Sequence, residues 1–323
     1  KKMKNQNKTF FYGIGHSMVD YFAENVLIYD ELEKLKSPAH LEESDFDNVF
    51  SKIAPKMRKT GGTAVNILKT ASKTGVECFF SGSTGMKEDK RDDDAIFFQR
   101  EMAENKIECQ LFSRENPTGR FLSISGKTED GKEVQKVIVN VGAAKKIEVA
   151  QVNEVRFGHS NCFVMEGMQF MNQGVLEQIV DFSFRYNVPL AVDCGTIFGA
   201  EAVGKRLLDI SNSLEIILFA NKAEAVALKQ YVEKPEDVCF LYVEKLGESG
   251  SKAFFDGKVI YQEAIKVPKK CEVACGDVFA GTLLAGIFKK TQNCFWDLKA
   301  DDLPELLELA SLEASKVLLN FGL

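Results

Sequence analysis

From residue 155 onward the chain alternates short apolar runs with stretches of helical period. Asn161–Met165, Pro189–Asp193, Glu215–Ala220 and Val238–Leu246 read as strands, and Asn172–Tyr186, Glu201–Ser211 and Lys222–Tyr231 between them as helices. Repeated β-α-β with strands apolar throughout, not alternately, means a mostly parallel sheet covered by helices on both faces. The expected fold is therefore α/β with three layers, α/β/α. Ligands of such sheets sit outside the carboxyl ends of the strands, so residues just after each strand are the first candidates for function.

The amino-terminal half gives a less regular reading. Thr9–Gly15 and Val76–Gly82 read as buried strands, Gly62–Thr74 as a helix closed by Gly75, Arg91–Glu104 as a helix and Glu108–Phe112 as a short strand. Arg120–Ser125 and Val134–Val139 flank Asp130-Gly131, and Lys252–Phe255 and Lys258–Glu263 flank Asp256-Gly257; an Asp-Gly pair between β-rich runs predicts a hairpin. Helices at Asp277–Lys289 and Leu303–Asn320 close the chain. One domain over residues 1–323 is expected, with a small β lid inserted at approximately 17–58 and 112–140.

Composition narrows the class of partner. The net charge is −6 and no basic block stands out, so neither nucleic acid nor an anionic membrane is expected as a partner. No apolar run reaches membrane-spanning length, and Lys1-Lys2-Met3-Lys4 is not followed by the apolar stretch of a signal peptide. Eight cysteines are scattered without a Cys-x-x-Cys pair, and there are three histidines. These read as reduced thiols of a cytoplasmic protein rather than a zinc site.

Five strand-end segments carry candidate chemistry, each with a plain structural alternative. Gly13-Ile14-Gly15-His16, followed by Asp20, would let a ligand approach the backbone and offer a carboxylate to sugar hydroxyls; alone it is also an ordinary turn. Gly61-Gly62 opens a helix with Asn66 one turn on, either as a substrate surface or as a flexible helix start. Asn221-Lys222-Ala223-Glu224 is either a capping box or a place for Glu224 to face a hydrated Mg²⁺. Lys245, Gly247 and Gly250 form a loop that could contact a nucleotide or simply turn the chain. The fifth, Val273 to Ile287, places Ala274, Cys275, Gly276 and Asp277 at the start of a small-residue helix. Backbone N–H groups and the positive end of the dipole suit an anion such as a phosphoryl group there, and Asp277 beside it could accept a proton. Cys275 is either a small filler or a thiol activated by the helix terminus.

Taken in order, these segments resemble the ribokinase-like (PfkB) carbohydrate kinase family, over nearly the whole chain from Gly13 to Gly322. Gly13, Gly15 and Asp20 match its early Gly-x-Gly…Asp; Gly61, Gly62 and Asn66 its Gly-Gly…Asn; Asn221 and Glu224 its Asn-x-x-Glu; and Cys271 to Asp277 fall on its Asp-Thr-x-Gly-Ala-Gly-Asp signature. Asn116-Pro117-Thr118-Gly119, Val139 to Ala144, Val164 to Met168 and Leu218 to Ala225 are similar to segments of the adenosine kinases and their bacterial relatives. The resemblance implies a ribokinase-like domain and transfer of the ATP γ-phosphoryl to the hydroxymethyl group of a nucleoside or sugar. Asp277 would be the base, the amides of residues 274 to 277 the anion hole, and Mg²⁺ would be held through Glu224. Asp20, His16, Gly61, Gly62 and Asn66 would face the acceptor, and Asn221, Lys245, Gly247 and Gly250 the nucleotide. A sugar kinase of ribose or fructose type, and a binding protein that has lost catalysis, are the alternatives; a monomer or a homodimer fits either.

The chain departs from the family at several of these places. Cys271, Glu272, Ala274 and Cys275 replace the Asp, Thr, Gly and Ala of the signature; Lys245 stands where a Thr is common, and His16 where adenosine kinases have Asn. Ala274 is expected at a position where glycine would supply a positive φ.

Overall fold

The computed structural model describes residues 10–268 and 272–319. Thr9, Cys271 and Asn320, which the sequence places in the first strand, the signature and the last helix, lie outside the described residues. In chain order the strands are β1 (Phe10–Ile14), β2 (Met18–Ile28), β3 (Ala39–His40), β4 (Met57–Gly61), β5 (Glu77–Lys87), β6 (Lys90–Arg91), β7 (Ile107–Arg114), β8 (Gly119–Thr128), β9 (Glu133–Asn140), β10 (Cys162–Glu166), β11 (Leu190–Asp193), β12 (Ile216–Asn221), β13 (Leu241–Lys245), β14 (Ser251–Phe255) and β15 (Lys258–Gln262). The helices are α1 (Asp30–Lys34), α2 (Glu43–Ile53), α3 (Thr63–Lys73), α4 (Asp93–Glu104), α5 (Glu154–His159), α6 (Gln173–Tyr186), α7 (Ile197–Ser211), α8 (Lys222–Leu228), α9 (Cys275–Lys290) and α10 (Leu303–Leu318).

Among the described residues the larger sheet has ten strands in the order β15-β14-β13-β12-β11-β10-β1-β5-β6, with β7 also on β5. Pairing is parallel from β13 through β5 to β7 and antiparallel at β14, β15 and β6. Successive residues of these strands point to opposite faces and enter different cores. Phe11, Val164, Ala191, Ile217 and Val243 pack with α3, α4, α9 and α10. Tyr12, Phe163, Val192, Leu218 and Tyr242 pack with α5, α6, α7 and α8. Two separate cores divided by one sheet are the three-layer α/β/α arrangement that the apolar runs predict.

The second sheet runs β3-β9-β8-β2-β4. Its Val19, Tyr21, Leu122, Ile124 and Ile138 join Leu32 of α1 and Phe46 of α2 in the first core. Its segments, 18–61 and 119–140, overlap the two stretches expected to be inserted. The Asp-Gly turns form as expected: β14 and β15 meet at Asp256 (φ 50°) and Gly257 (φ 68°), the paired positive φ of a tight hairpin.

Boundaries differ from the sequence reading at several elements, among them α7, β13 and α8. Helix α7 starts at Ile197, before Glu201, because the Thr196 hydroxyl accepts the Gly199 N–H at 2.9 Å and caps it. Gly199 weakens the helical pattern there, yet it is required: a Cβ would lie 2.1 Å from the Cys194 carbonyl. Strand β13 begins at Leu241, not Val238, because Pro235 sets a tight turn over 235–237. Helix α8 ends at Leu228, short of Tyr231.

Candidate active site

The carboxyl ends of β1, β10, β11, β12 and β13 converge with the amino ends of α3, α8 and α9. At β1, the chain passes through Gly15 and His16 into β2. Glu166, the buried last residue of β10, accepts the backbone N–H of His16 at 3.0 Å and of Ala64 at 3.3 Å, and meets the His16 ring at Nδ1, 2.7 Å away. Gly15 lets the carboxylate in, since a Cβ there would fall 2.4 Å from Glu166 Oε1. Burial alone would lower the His16 pKa, but the charge and hydrogen bond of Glu166 more than offset it and hold the ring above its ordinary value.

Asp20, on β2, is 7% exposed, and no hydrogen-bond donor reaches its carboxylate among the described residues. Burial pushes its pKa up to about 7, with Lys69 opposing and Glu101 assisting. Beneath it, the buried Lys69 ammonium binds Glu101 at 2.8 Å and the Thr60 hydroxyl at 2.9 Å. Glu101 also accepts the Thr60 N–H at 2.7 Å. Gly61 leaves room for Asp20, because a Cβ would lie 2.0 Å from Oδ1. Gly62 (φ 106°) starts α3, and Asn66, one turn further, donates to Asp277 Oδ2 at 2.8 Å.

That last contact depends on α3 and α9 lying close together. Gly281 permits it: a Cβ would sit 2.6 Å from the Ile67 carbonyl. At the start of α9, Ala274 has φ 68° and ψ 0°, so it does adopt the left-handed conformation that the departure from glycine raised as an issue. The Cys275 N–H donates to the Glu272 carbonyl at 3.2 Å, while those of Gly276 and Asp277 have no backbone acceptor among the described residues. The open end of the helix therefore lies at 276 and 277, with Cys275 half-buried behind it. The Asp277 carboxyl is raised above the usual range, first by burial and then by the charge of Asp193, with Lys245 and Asn66 opposing.

The remaining strand ends form the other half of the site. Asp193, fully buried at the end of β11, makes a short ion pair with the Lys245 ammonium at the end of β13. Asn221 caps α8 by accepting the N–H groups of Ala223 and Glu224 at 2.9 and 3.0 Å, and Glu224 Oε2 accepts the Asn221 N–H at 2.8 Å. The capping box is thus formed in full. Glu224, 2% exposed, is raised by burial and by Asp193. Gly247 and Gly250, both at positive φ, turn the chain from β13 into β14, closed by the Leu246 N–H to Gly250 carbonyl bond of 2.8 Å.

The structure accordingly brings His16, Asp20, Gly61, Gly62 and Asn66 to one side, and Glu224, Lys245 and the 247–250 loop to the other, with Gly276 and Asp277 between. Sequence reasoning missed Glu166, Asp193 and the Lys69–Glu101 pair. The first two had a signal: each is an acid ending an otherwise apolar strand, where the chain meets the ligand end of the sheet. A cavity of 860 Å³ lined by Glu236, Phe240, Phe255, Lys258, Leu298 and Asp301 lies toward the amino end of β13, away from these groups.

One oxygen of each carboxylate here is engaged by a polar partner in the protein: Asp193 Oδ2 by Lys245, Asp277 Oδ2 by Asn66 and Glu224 Oε2 by the Asn221 N–H. The second oxygens of Asp277 and Glu224 have no hydrogen-bond partner among the described residues, which leaves donors for a hydrated divalent ion of the kind expected through Glu224. No group of three or more His, Cys, Asp or Glu among the described residues is arranged to hold a metal. Among the same residues, no helix is long and apolar enough to cross a membrane.

The mostly parallel α/β/α sheet with a second β sheet beside its ligand end is a ribokinase-like fold. No protein-family model and no curated protein matches the sequence, but solved structures match the fold. An adenosine kinase from Sinorhizobium meliloti superposes with a TM-score of 0.80 at 19% identity, over 98% of this chain and 95% of that one. A protein described as a probable sugar kinase from Rhizobium etli CFN 42 gives 0.80 at 18%, over 98% and 94%. Anopheles gambiae adenosine kinase in complex with P1,P4-di(adenosine-5) tetraphosphate gives 0.78 at 16%, over 98% and 97%.

Proposed function

We propose that the protein transfers the γ-phosphoryl group of ATP to the hydroxymethyl group of an adenosine-like nucleoside or a sugar. The observation that carries this reading is the Asn66–Asp277 hydrogen bond. It ties the polar acceptor side to the open N-terminus of α9, so that a proton acceptor and an anion site share one point. Asp277 takes the proton of the attacking hydroxyl; its raised pKa brings it nearer the value a base needs at neutral pH. The Gly276 and Asp277 N–H groups receive the charge that develops on the phosphoryl oxygens. Asp20, which no donor reaches among the described residues, accepts hydrogen bonds from the acceptor's ring hydroxyls, and His16, fixed on Glu166, borders the same space. The second sheet then acts as a lid that excludes water.

Support for the nucleoside comes from the adenosine kinases among the structural matches. The sugar reading keeps a place because every acceptor-side group named here is polar. The test is ATP consumption with adenosine, ribose and fructose, using Asp277→Asn as control. We expect turnover with one acceptor class and a loss of about 10²–10⁴-fold in the variant. Turnover that survives Asp277→Asn refutes the base; ATP binding without turnover on any acceptor favours a binding protein.

A further inference from the structure

Helix α3 reaches both sides of the site. Asn66 donates to Asp277, and Lys69, one turn further along, reaches the second sheet. The Lys69 side chain is 1% exposed. An ammonium has three donors, and all three are used: by Glu101 Oε1 at 2.8 Å, by the Thr60 hydroxyl at 2.9 Å and by the Thr60 carbonyl at 3.3 Å. The other carboxylate oxygen of Glu101 accepts the Thr60 N–H at 2.7 Å. A buried ion pair built from α3 and α4 thus takes every polar group of one residue on β4, the last strand in the order of the second sheet.

Thr60 stands where position matters. It is followed by Gly61, whose backbone lies against Asp20: a Cβ there would fall 2.0 Å from Oδ1. The register sets Lys59 opposite Asp20 and Gly61 opposite Met18, so a shift of β4 along β2 would carry Gly61 off the carboxylate. Lys69 and Glu101 are also the charges that act on Asp20. An ion pair is a costly way to fill this space, because desolvating both charges offsets most of their attraction, and well-packed apolar side chains are often as stable. What apolar side chains cannot do is hold the three polar groups of Thr60 in one place. On these grounds, and resting on the phosphoryl-transfer reading above, we propose that Lys69, with Glu101, is the positioning residue of the acceptor side. It acts through Thr60 and Gly61 to keep Asp20 in a fixed relation to Asp277, both carboxylates being referred to residues one turn apart on α3. Lys69 touches no substrate; the acceptor's hydroxyls meet Asp20, whose place Lys69 sets.

The test is a double-mutant cycle between Lys69→Met and Asp20→Asn, read as KM for the acceptor that turns over, with ATP affinity measured by calorimetry on each protein. In the wild-type background Lys69→Met is expected to raise the acceptor KM about tenfold, with kcat and ATP affinity nearly unchanged. In the Asp20→Asn background the same substitution should change KM by less than about twofold, because no carboxylate is left to position. Lys69→Met strands the charge of Glu101, so Lys69→Met/Glu101→Leu, which removes both charges together, is measured alongside, with thermal unfolding of each. It should fold and raise KM to the same extent. An equal rise in KM with and without the Asp20 carboxylate, a parallel loss of ATP affinity, or an unchanged KM in a folded variant overturns the inference and leaves the kinase reading intact. Failure of both Lys69 variants to fold assigns the pair to stability alone and overturns it as well. A wild type that turns over none of the acceptors removes the kinase reading, and the inference with it.

Discussion

Asp20 offers a sharp test of the acceptor side, because the structure makes it costly in the empty site. Its carboxyl is pushed from an ordinary 3.8 up to about 7. At about 1.4 kcal/mol per pH unit, holding it ionised at pH 8 opposes folding by on the order of 4 kcal/mol. The sign follows from proton binding. Between pH 4 and 7 the folded chain holds this proton more tightly than the unfolded chain, so its contribution is intact below about pH 4 and is lost as the pH rises through 7. Asp20→Asn keeps the shape and removes the charge. Allowing for an amide that also lacks a partner, the variant should be more stable than wild type by about 2–4 kcal/mol at pH 8. The gap should shrink by about 2 kcal/mol at pH 5, where the folded wild type is already protonated. Urea unfolding at both pH values measures it, and taking the difference between proteins cancels titrations they share. The same variant should lose affinity for the hydroxyl-bearing acceptor by tenfold or more. A variant less stable than wild type at pH 8, or a gap that ignores pH, would refute the claim that Asp20 is an uncompensated carboxylate kept for a ligand.

Three further substitutions probe its surroundings. Lys69→Met should destabilise by about 3 kcal/mol in thermal or urea unfolding, since it leaves Glu101 with a buried charge and only the Thr60 amide. Gly61→Ala should raise the acceptor KM without changing ATP affinity, because the new Cβ meets Asp20 Oδ1 at 2.0 Å and must turn the carboxylate out of place; calorimetry with each ligand separates the two effects. Ala274→Gly should stabilise by about 1 kcal/mol by relieving a left-handed alanine at φ 68°, read as a rise in the urea midpoint.

What the sequence showed and what it hid follow from how far apart the interacting residues lie. The parallel strands were legible because each is apolar along its whole length, and the hairpins because Asp-Gly dictates their turns. Beyond its β8–β9 hairpin, the second sheet was legible only as a place where material is inserted. Strand β2, Met18–Ile28, pairs in parallel with β8, Gly119–Thr128; no local pattern announces a partner about a hundred residues away, and Asp20, Glu24 and Asn25 break the alternation of β2. The site behaves alike. Asn66, Asp277 and Glu224 could be picked out because each sits in a recognisable turn. Lys245 could be picked out as a loop residue and Asp193 as an acid ending an apolar strand, but no local pattern shows that the two, 52 residues apart, pair with each other.

The departures from the signature that the sequence resembles bear on one another. Ala274 is strained, yet the strain does not reach Asp277, whose position is fixed from the other side by Asn66 and by the close approach of α3 to α9 at Gly281. A helix held along its length can tolerate a poor first residue at a cost of about 1–2 kcal/mol, without moving the groups one turn later. Gly276, the retained glycine, is the one whose loss would be felt twice: it bounds the open amides and also the space for the Lys245 ammonium. The pattern of change is thus uneven in a physically sensible way. Residues 274 and 275, whose side chains or conformations can be absorbed locally, differ from the signature the sequence resembles, while 276 and 277, which face the Lys245 charge and the Asn66 amide, match it.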